Sequence, residues 1–195
     1  MNHSIYVTSE PAVEPLTTSE VKTAARIDYD AEDTIVASWI KSGRALAESV
    51  VNMAFITQTL RLAFDGWPAA PFYLPRPPLQ SVTSFKYYGT DNTEYSLTSG
   101  TDFYSEIYKK PGRIDLVYGT TWPTTTLREM DSVVITYVAG FGAAATAVPE
   151  WAKDAIILYC TYRHENRAGE IDKIPEAFFN ILRPHRIRHM ELDAR

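Results

Sequence analysis

The two histidines His185 and His189 have the spacing that comes nearest to a chemical motif in this chain. Residues four apart share one face of a helix, and two imidazoles there can begin a metal site. Zinc usually takes three or four protein ligands, however, and no further His or Cys lies nearby. Pro184 also breaks helical geometry just before the pair. The sequence therefore predicts no metal site, and we expect no cofactor.

The other reactive side chains favour structural roles. Cys160, the only cysteine, lies inside a predicted helix, where a free cysteine is typically buried and inert. The carboxylates within residues 28–33 could bind a divalent cation, but they coincide with a helix start, where the helix dipole favours negative charge. His164 and Glu165 end another predicted helix, where a histidine can meet the last carbonyl groups. There is no Gly-rich phosphate loop and no Gly-x-Ser-x-Gly elbow, so we predict a non-enzymatic protein without catalytic residues.

The composition limits the function further. Of the 195 residues, 45% are hydrophobic and 12% are aromatic, so the chain can bury a substantial core. The net charge of −5 disfavours a surface that grips nucleic acid, but not one that DNA merely passes. The N-terminus has no basic region followed by an apolar run, and no stretch approaches the ~20 apolar residues of a membrane span. We therefore expect no signal peptide and no membrane contact.

Hydrophobic periodicity predicts two pairs of helices. A capping box from Thr17 to Glu20 begins a short helix that continues to about residue 27. A long helix follows over residues 31–53, and residues 150–167 carry a second apolar stripe that fits against it. Pro175 begins the last helix. The stripe of the long helix consists of Ile35, Val36, Trp39, Ile40, Leu46, Ala47 and Val50, and its polar side of Glu32, Lys41, Arg44 and Glu48.

Between the two pairs of helices the pattern changes to that of strands. Residues 56–140 contain about six short segments of alternating apolar and polar residues, separated by turn residues. We therefore predict an α+β fold, with a helical core of two N-terminal and two C-terminal helices and a β-rich insertion between them. The predicted boundaries are residues 1–55 for the N-terminal helical hairpin, 56–140 for the insertion and 141–195 for the C-terminal helices. Residues 1–16 are predicted to be an extended lead-in.

A basic run near the C-terminus consists of Arg183, Arg186 and Arg188, with no acid among residues 183–188. It is either a solvated chain end or a segment that docks on an acidic partner, since arginine pairs bidentately with carboxylates and phosphates. The aromatic residues of the insertion favour a core with a protein-contact surface over a platform for single-stranded nucleic acid, because no dense basic groove accompanies them. These residues are Tyr87, Tyr88, Tyr95, Phe103, Tyr104, Tyr108 and Tyr118.

The order of several phrases along the sequence is more specific than any one of them. From the N-terminus they are TTSEVKTAARID, YDAED, ITQTLRLAFDGWP, YLPRPPLQSVTSFKYY, PGRIDLVYGTTWP, VVITYVAGFG and VPEWAKDAIILYCTYRHENR. In this order they resemble the head–tail connector proteins of long-tailed bacteriophages and gene transfer agents, which are also called adaptor or head-completion proteins. The resemblance runs from about residue 13 to about residue 188, and residues 74–82 and 137–142 carry its most distinctive pieces.

The resemblance implies a structural role in a virion. Proteins of this family form a ring, commonly twelvefold, under the portal protein, and DNA passes through the ring without specific binding. Their C-terminal helical part docks on the portal, and the other face receives a tail-side connector, stopper or tail-terminator protein. The resemblance therefore implies a protein of the head–tail interface, assembled in the host cytoplasm.

Carried onto this chain, the resemblance assigns portal docking to about residues 175–195, with the arginines of the basic run as the contacts to test. It assigns tail-side or subunit contacts to the β-rich insertion, where we select Arg76, Tyr87 and Tyr88. The proline-rich residues 74–79 are most simply a rigid extended connector, and a subunit contact is the alternative. Two other functions stay open: a tail-completion or tail-terminator protein, which also forms a ring, and a hydrolase, which only scattered Asp, Glu and His residues support.

Overall fold

The computed structural model describes residues 3–167 and 174–187 of the chain. Four α-helices and eight strands lie in these residues, and they confirm the predicted α+β class with a β-rich middle. The chain divides into two compact units. The helical unit contains Pro11–Ile56 and the described part of Phe141–Ile187, and the β unit contains residues 3–10 and Thr57–Gly140. In the described ranges, no helix is both long and apolar enough to cross a membrane.

The helical unit is built from α1 (Thr18–Ala25), α2 (Asp33–Val51), α3 (Glu150–Glu165) and α4 (Glu176–Leu182). The predicted capping box begins α1. The Glu20 N–H donates to Thr17 Oγ1 (3.2 Å), and the Thr17 N–H donates to the Glu20 carboxylate (2.7 Å). This bond from the Thr17 backbone also lowers the pKa of Glu20, so the cap stays ionised at neutral pH.

The long helix α2 buries an apolar stripe against α3. Val36 and Ile40 are buried there, and Gly43 allows a close approach, since a Cβ atom at Gly43 would lie 2.9 Å from Tyr159 Cδ1. The predicted stripe is wrong at Ile35, whose side chain is 45% exposed. At about 100° of rotation per residue, Ile35 points roughly 100° away from Val36 and the centre of the buried face.

The predicted polar side of α2 is also wrong at Arg44 and Glu48, which are both buried. Arg44 Nε donates to Glu14 Oε2 (2.6 Å), and Arg44 Nη1 donates to Glu48 Oε2 (3.0 Å). The other oxygen of Glu48 accepts the backbone N–H of Phe55 (2.7 Å). Burial alone would lower the pKa of Arg44, but the hydrogen bonds and charges of Glu14 and Glu48 outweigh it and raise that pKa. We call these three side chains the Arg44 network.

The β unit contains two antiparallel sheets. The five-stranded sheet has the order β1-β2-β8-β4-β5, and the three-stranded sheet has the order β3-β7-β6. Their strands are β1 (His3–Ser9), β2 (Gln58–Phe64), β3 (Phe72–Tyr73), β4 (Leu79–Tyr88), β5 (Glu94–Leu97), β6 (Phe103–Glu106), β7 (Arg113–Leu116) and β8 (Val133–Ala139). The central strands β2 and β8 are mostly buried, as alternating segments rich in Leu, Val and Ile predict.

The N-terminal segment is extended over His3–Ser9, as predicted, but it is also a strand of the five-stranded sheet, which was not predicted. His3–Ser9 pairs antiparallel with β2, so that Ile5 lies opposite Leu62 and Val7 opposite Leu60. Every residue of this strand is exposed. The Tyr6 hydroxyl also accepts a hydrogen bond from Arg61 of β2, so side chains as well as the backbone edge of β2 hold β1 in place.

We predict that Arg44→Ala lowers the free energy of unfolding by about 3–5 kcal/mol, because it leaves the buried Glu48 and the part-buried Glu14 without their cation. Denaturant unfolding followed by circular dichroism measures this value. Lys41→Ala removes a positive charge from the exposed side of the same helix and should change stability by at most about 1 kcal/mol. Equal effects of the two substitutions would contradict a structural role for the Arg44 network.

Candidate interaction surfaces

Among the described residues, no group of three or more His, Cys, Asp or Glu side chains could hold a metal ion. Cys160 is fully buried, as predicted, and burial raises the pKa of its thiol to about 12. The thiol is therefore protonated and inaccessible at neutral pH, and such a cysteine is not a nucleophile.

The acidic cluster before α2 forms ion pairs. Glu32 accepts both Nη atoms of Arg167, and these bonds lower the pKa of Glu32. Asp33, in the first turn of α2, accepts from Lys22 Nζ (2.8 Å). His164 stands beside the Glu32 pair, with Nδ1 3.8 Å from a Glu32 oxygen. Each carboxylate named here thus has a cationic partner from within the helical unit.

The C-terminal segment is anchored to the helical unit at two points. The His185 ring stacks on Trp151, with centroids 4.0 Å apart and planes at 6°. The Ile187 N–H donates to the Val51 carbonyl at the end of α2 (2.9 Å). The other histidine of the sequence pair, His189, lies outside the described residues. The anchors fix the backbone that carries the first two arginines of the basic run.

Both described arginines of the basic run are exposed. Arg183 donates to Glu176 (2.7 Å) and to Asn180 (2.9 Å), so part of its charge is engaged on its own helix. Arg186 follows, after a short 3₁₀ turn, on extended backbone. Arg188 lies outside the described residues. The structure therefore presents Arg186 as the more available of the two described charges.

Arg76 lies in a bend of the proline-rich segment. Its φ of 59° is left-handed, a conformation that non-glycine residues rarely adopt. Hydrogen bonds hold the backbone on either side: the Leu74 N–H donates to the Gly112 carbonyl (2.8 Å), and Tyr137 Oη donates to the Pro75 carbonyl (2.8 Å). Arg76 itself is half-buried. Hydrogen bonds therefore hold the segment within the β unit, but the prediction of an extended segment is wrong at the bend around Arg76.

Tyr87 and Tyr88 are neighbours in β4 with opposite environments. Tyr87 is only 8% exposed and lies between Tyr95, on which it stacks at 5.0 Å, and Trp67, also at 5.0 Å between ring centroids. Successive side chains of a strand point to opposite faces, and Tyr88 accordingly lies half-buried on the outer one. Tyr87 supports this surface from inside, and Tyr88 is the one that a partner could touch.

Tyr88 belongs to a charged group on the β4–β5 hairpin. Its Oη donates to Glu94 (2.9 Å), which also accepts from Lys86 Nζ (2.6 Å). The Arg128 guanidinium lies 4.1 Å from the centre of the Tyr88 ring. The bonds from Lys86 and Tyr88 lower the pKa of Glu94, so the group carries two cations and one carboxylate at neutral pH. These contacts hold the group in place as a polar patch on the β unit.

Three tyrosines that the sequence did not distinguish from the core are the most exposed aromatic residues of the β unit. Tyr108 is 92% exposed, Tyr118 is fully exposed and Tyr104 more than half exposed. They line an open depression of about 650 Å³ beside β6 and β7. Arg113 and Asp115 form an ion pair in the same depression. Tyrosine is enriched in protein interfaces, and its placement outside the core here is consistent with a protein-contact surface. The sequence pattern of these tyrosines is the same as that of the buried aromatic residues, and only their solvent exposure in the structure separates the two groups.

Comparison with known proteins identifies the fold. No protein-family model matches the sequence, and no curated protein sequence matches it. Among solved structures, a chain in the virion of a native gene transfer agent (GTA) particle matches with a TM-score of 0.79 and 21% identity, over 96% of this chain and 97% of that one. A chain in the neck of the empty GTA particle, computed with C6 symmetry, matches with a TM-score of 0.80 and 21% identity, over 96% of this chain and 98% of that one. A chain in the neck of the native particle, computed with C12 symmetry, matches with a TM-score of 0.73 and 20% identity, over 96% of this chain and 98% of that one. The chain therefore has the fold of a chain found in GTA necks.

We predict that the tyrosines of the β unit separate into two classes on substitution. Tyr87→Ala should lower the free energy of unfolding by roughly 3 kcal/mol, because it leaves a cavity between Trp67 and Tyr95. Tyr118→Ala should change it by less than about 0.5 kcal/mol, because that side chain is fully exposed. Denaturant midpoints of the two variants test this; a large loss of stability for Tyr118→Ala would contradict the free surface described above.

Proposed function

We propose that this chain is a structural protein of the neck of a tailed bacteriophage or gene transfer agent particle, where it forms the ring between the portal and the tail. The observation that carries the proposal is the likeness of fold to GTA neck chains, which extends over 96% of this chain and 98% of each neck chain. The ordered sequence phrases resemble the same group of proteins and support the proposal independently of the fold.

The symmetry of the similar necks supports a ring. They were computed with C6 and C12 symmetry, and we propose twelve copies of this chain around one axis. A closed ring of identical chains needs two different, complementary surfaces on each copy, because each interface is heterologous. This chain offers several surfaces of distinct chemistry, as described above.

The helical unit supplies the portal-docking face in this proposal. Arg183 and Arg186 are exposed on an anchored segment, and Arg188 continues the run. In a chain of net charge −5, such a local cationic site directs an acidic partner to one place. The β unit supplies the tail-side or subunit contacts, through Tyr88, Arg76 and the exposed tyrosines, for a tail-side connector, stopper or terminator protein.

DNA passes through the ring in this proposal and is not held by it. A net negative chain does not retain a polyanion, because sequence-independent DNA binding depends on neutralising phosphates with Lys and Arg. The protein is thus a virion component, assembled in the host cytoplasm, that acts through surfaces and has no enzymatic step.

The proposal is tested with the portal protein encoded in the same gene cluster. The full chain is used to pull down the portal, and the complex is imaged by electron microscopy. A ring of added density at one end of the portal is the expected result. Binding to tail-tube protein, with no binding to the portal at micromolar concentrations, would replace the proposal by the tail-completion function.

We predict that Arg186→Glu weakens portal binding by about tenfold or more, because it reverses a charge at the docking face. The dissociation constant is measured by titrating the variant into purified portal. Lys109→Glu reverses an exposed charge in the β unit and serves as the matched control, with an expected change below about twofold. Neither substitution should change the denaturant midpoint, since both side chains are exposed. Equal loss of binding in both variants would show that only the overall charge matters.

A further inference from the structure

The free edge of strand β1 is unlike a protected sheet edge. β1 is one edge of the five-stranded sheet, and it pairs only with β2 in the part of the chain that the structure describes. It contains no Lys, Glu, Asp, Pro or Gly, which proteins commonly use to keep edges from pairing. Ile5 is 36% exposed and Val7 is 43% exposed, both on the face that β2 uses for Leu60 and Leu62. This edge therefore offers both unpaired backbone groups and apolar side chains.

The opposite edge of the same sheet, β5, has matching features. It is exposed along most of its length and pairs with β4. Tyr95 and Leu97 lie opposite Tyr87 and Phe85, so both occupy the same face of the sheet as Ile5. Two rows of directly opposed residues connect the two edges. The rows are Ile5–Leu62–Ile135–Phe85–Leu97 and His3–Phe64–Val133–Tyr87–Tyr95.

We infer that in the ring the free edge of β1 in one copy pairs with the free edge of β5 in the next copy, so that the five-stranded sheet continues from subunit to subunit. This inference rests on the proposed ring and names the second copy of this chain as the partner. Pairing of unlike edges is heterologous and therefore propagates around a ring, whereas pairing of two β1 edges would be two-fold and end at a dimer.

The chemistry of the two edges fits this pairing. Every neighbouring pair in the order β1-β2-β8-β4-β5 is antiparallel, so β1 and β5 run in the same direction and a continued sheet joins them in parallel. Ile5 and Val7 then meet Tyr95 and Leu97 on one face, and contacts between aromatic and β-branched side chains across strands are favourable.

The charges of the two edges do not oppose this contact. Apart from His3, β1 has no titratable side chain other than Tyr6, and the Tyr6 hydroxyl accepts a hydrogen bond from Arg61 on β2. The one charged residue of β5, Glu94, is paired with Lys86. Two copies of a chain with net charge −5 can therefore approach along these edges without like charges facing each other.

The inference is tested by disulfide cross-linking of the full chain assembled on the portal. Ile5→Cys with Leu97→Cys places both thiols in one row and on one face. Mild oxidation should then give a ladder of covalent multimers on a non-reducing gel, and a reductant should collapse it. Cys160 can remain, because it is fully buried.

The control is the pair Ile5→Cys with Ser96→Cys. The second thiol then lies one residue earlier and points to the opposite face of the sheet, so the ladder should be about tenfold weaker or absent.

The outcomes separate this inference from the proposed function. Rings that form on the portal but give no ladder from the same-face pair overturn the inference and leave the proposed function intact. A dimer from Ile5→Cys alone overturns it in favour of pairing between two β1 strands. If the unmodified chain forms no ring with the portal, the proposed function fails, and the inference fails with it.

A second variant tests the edge without cysteine. Val7→Lys adds a charge to a side chain that is already exposed, so the monomer should keep its denaturant midpoint. Ring yield on the portal should fall several-fold in this variant. An unchanged yield would overturn the inference.

Discussion

The ion-pair network around Arg44 sets the path of the chain through the helical unit. A buried guanidinium must be paired, because an uncompensated charge in the interior is far more costly than a paired one. Glu14, in the segment that precedes α1, accepts a hydrogen bond from Arg44. Glu48, in the next turn of α2, accepts from Arg44 and also from the Phe55 amide. The same group thus fixes where the chain approaches α2 and where it leaves the helix. Helix packing at Gly43, one residue earlier, then depends on α2 keeping this position.

The β unit shows how a strand pattern produces both a core and contact surfaces. Its two central strands, β2 and β8, are mostly buried, and the aromatic cluster around Trp67 and Tyr87 fills the space on their inner side. The outer positions carry charged and aromatic groups that stay partly exposed, such as the pair of Arg128 and Tyr88. Most of the strongly exposed large hydrophobic residues belong to this unit. This distribution is consistent with a unit that has protein neighbours on several sides.

The proposed role in a neck depends on the surfaces of the chain. A connector needs a stable body, a charge pattern that orients its partners and complementary faces toward its own copies. The helical unit presents a localised positive charge on an otherwise acidic chain, and the β unit presents aromatic and backbone edges. Fold similarity to neck chains at 20–21% identity indicates that such a body can be kept while most of its residues differ.

The sequence by itself determined the local structure, since the helical and strand periods, the capping box at Thr17 and the turn residues are all encoded within short windows. It could not determine which polar residues are buried. Arg44 and Glu14 are 30 residues apart, and only the folded chain brings them together and turns a predicted polar side into a buried one. It did not identify β1 as part of the sheet either, because β1 pairs with β2, a segment far from it along the chain. Tyr87 and Tyr88 could be expected to face opposite ways, but which of them faces inward was decided only by strand pairing between distant parts of the chain.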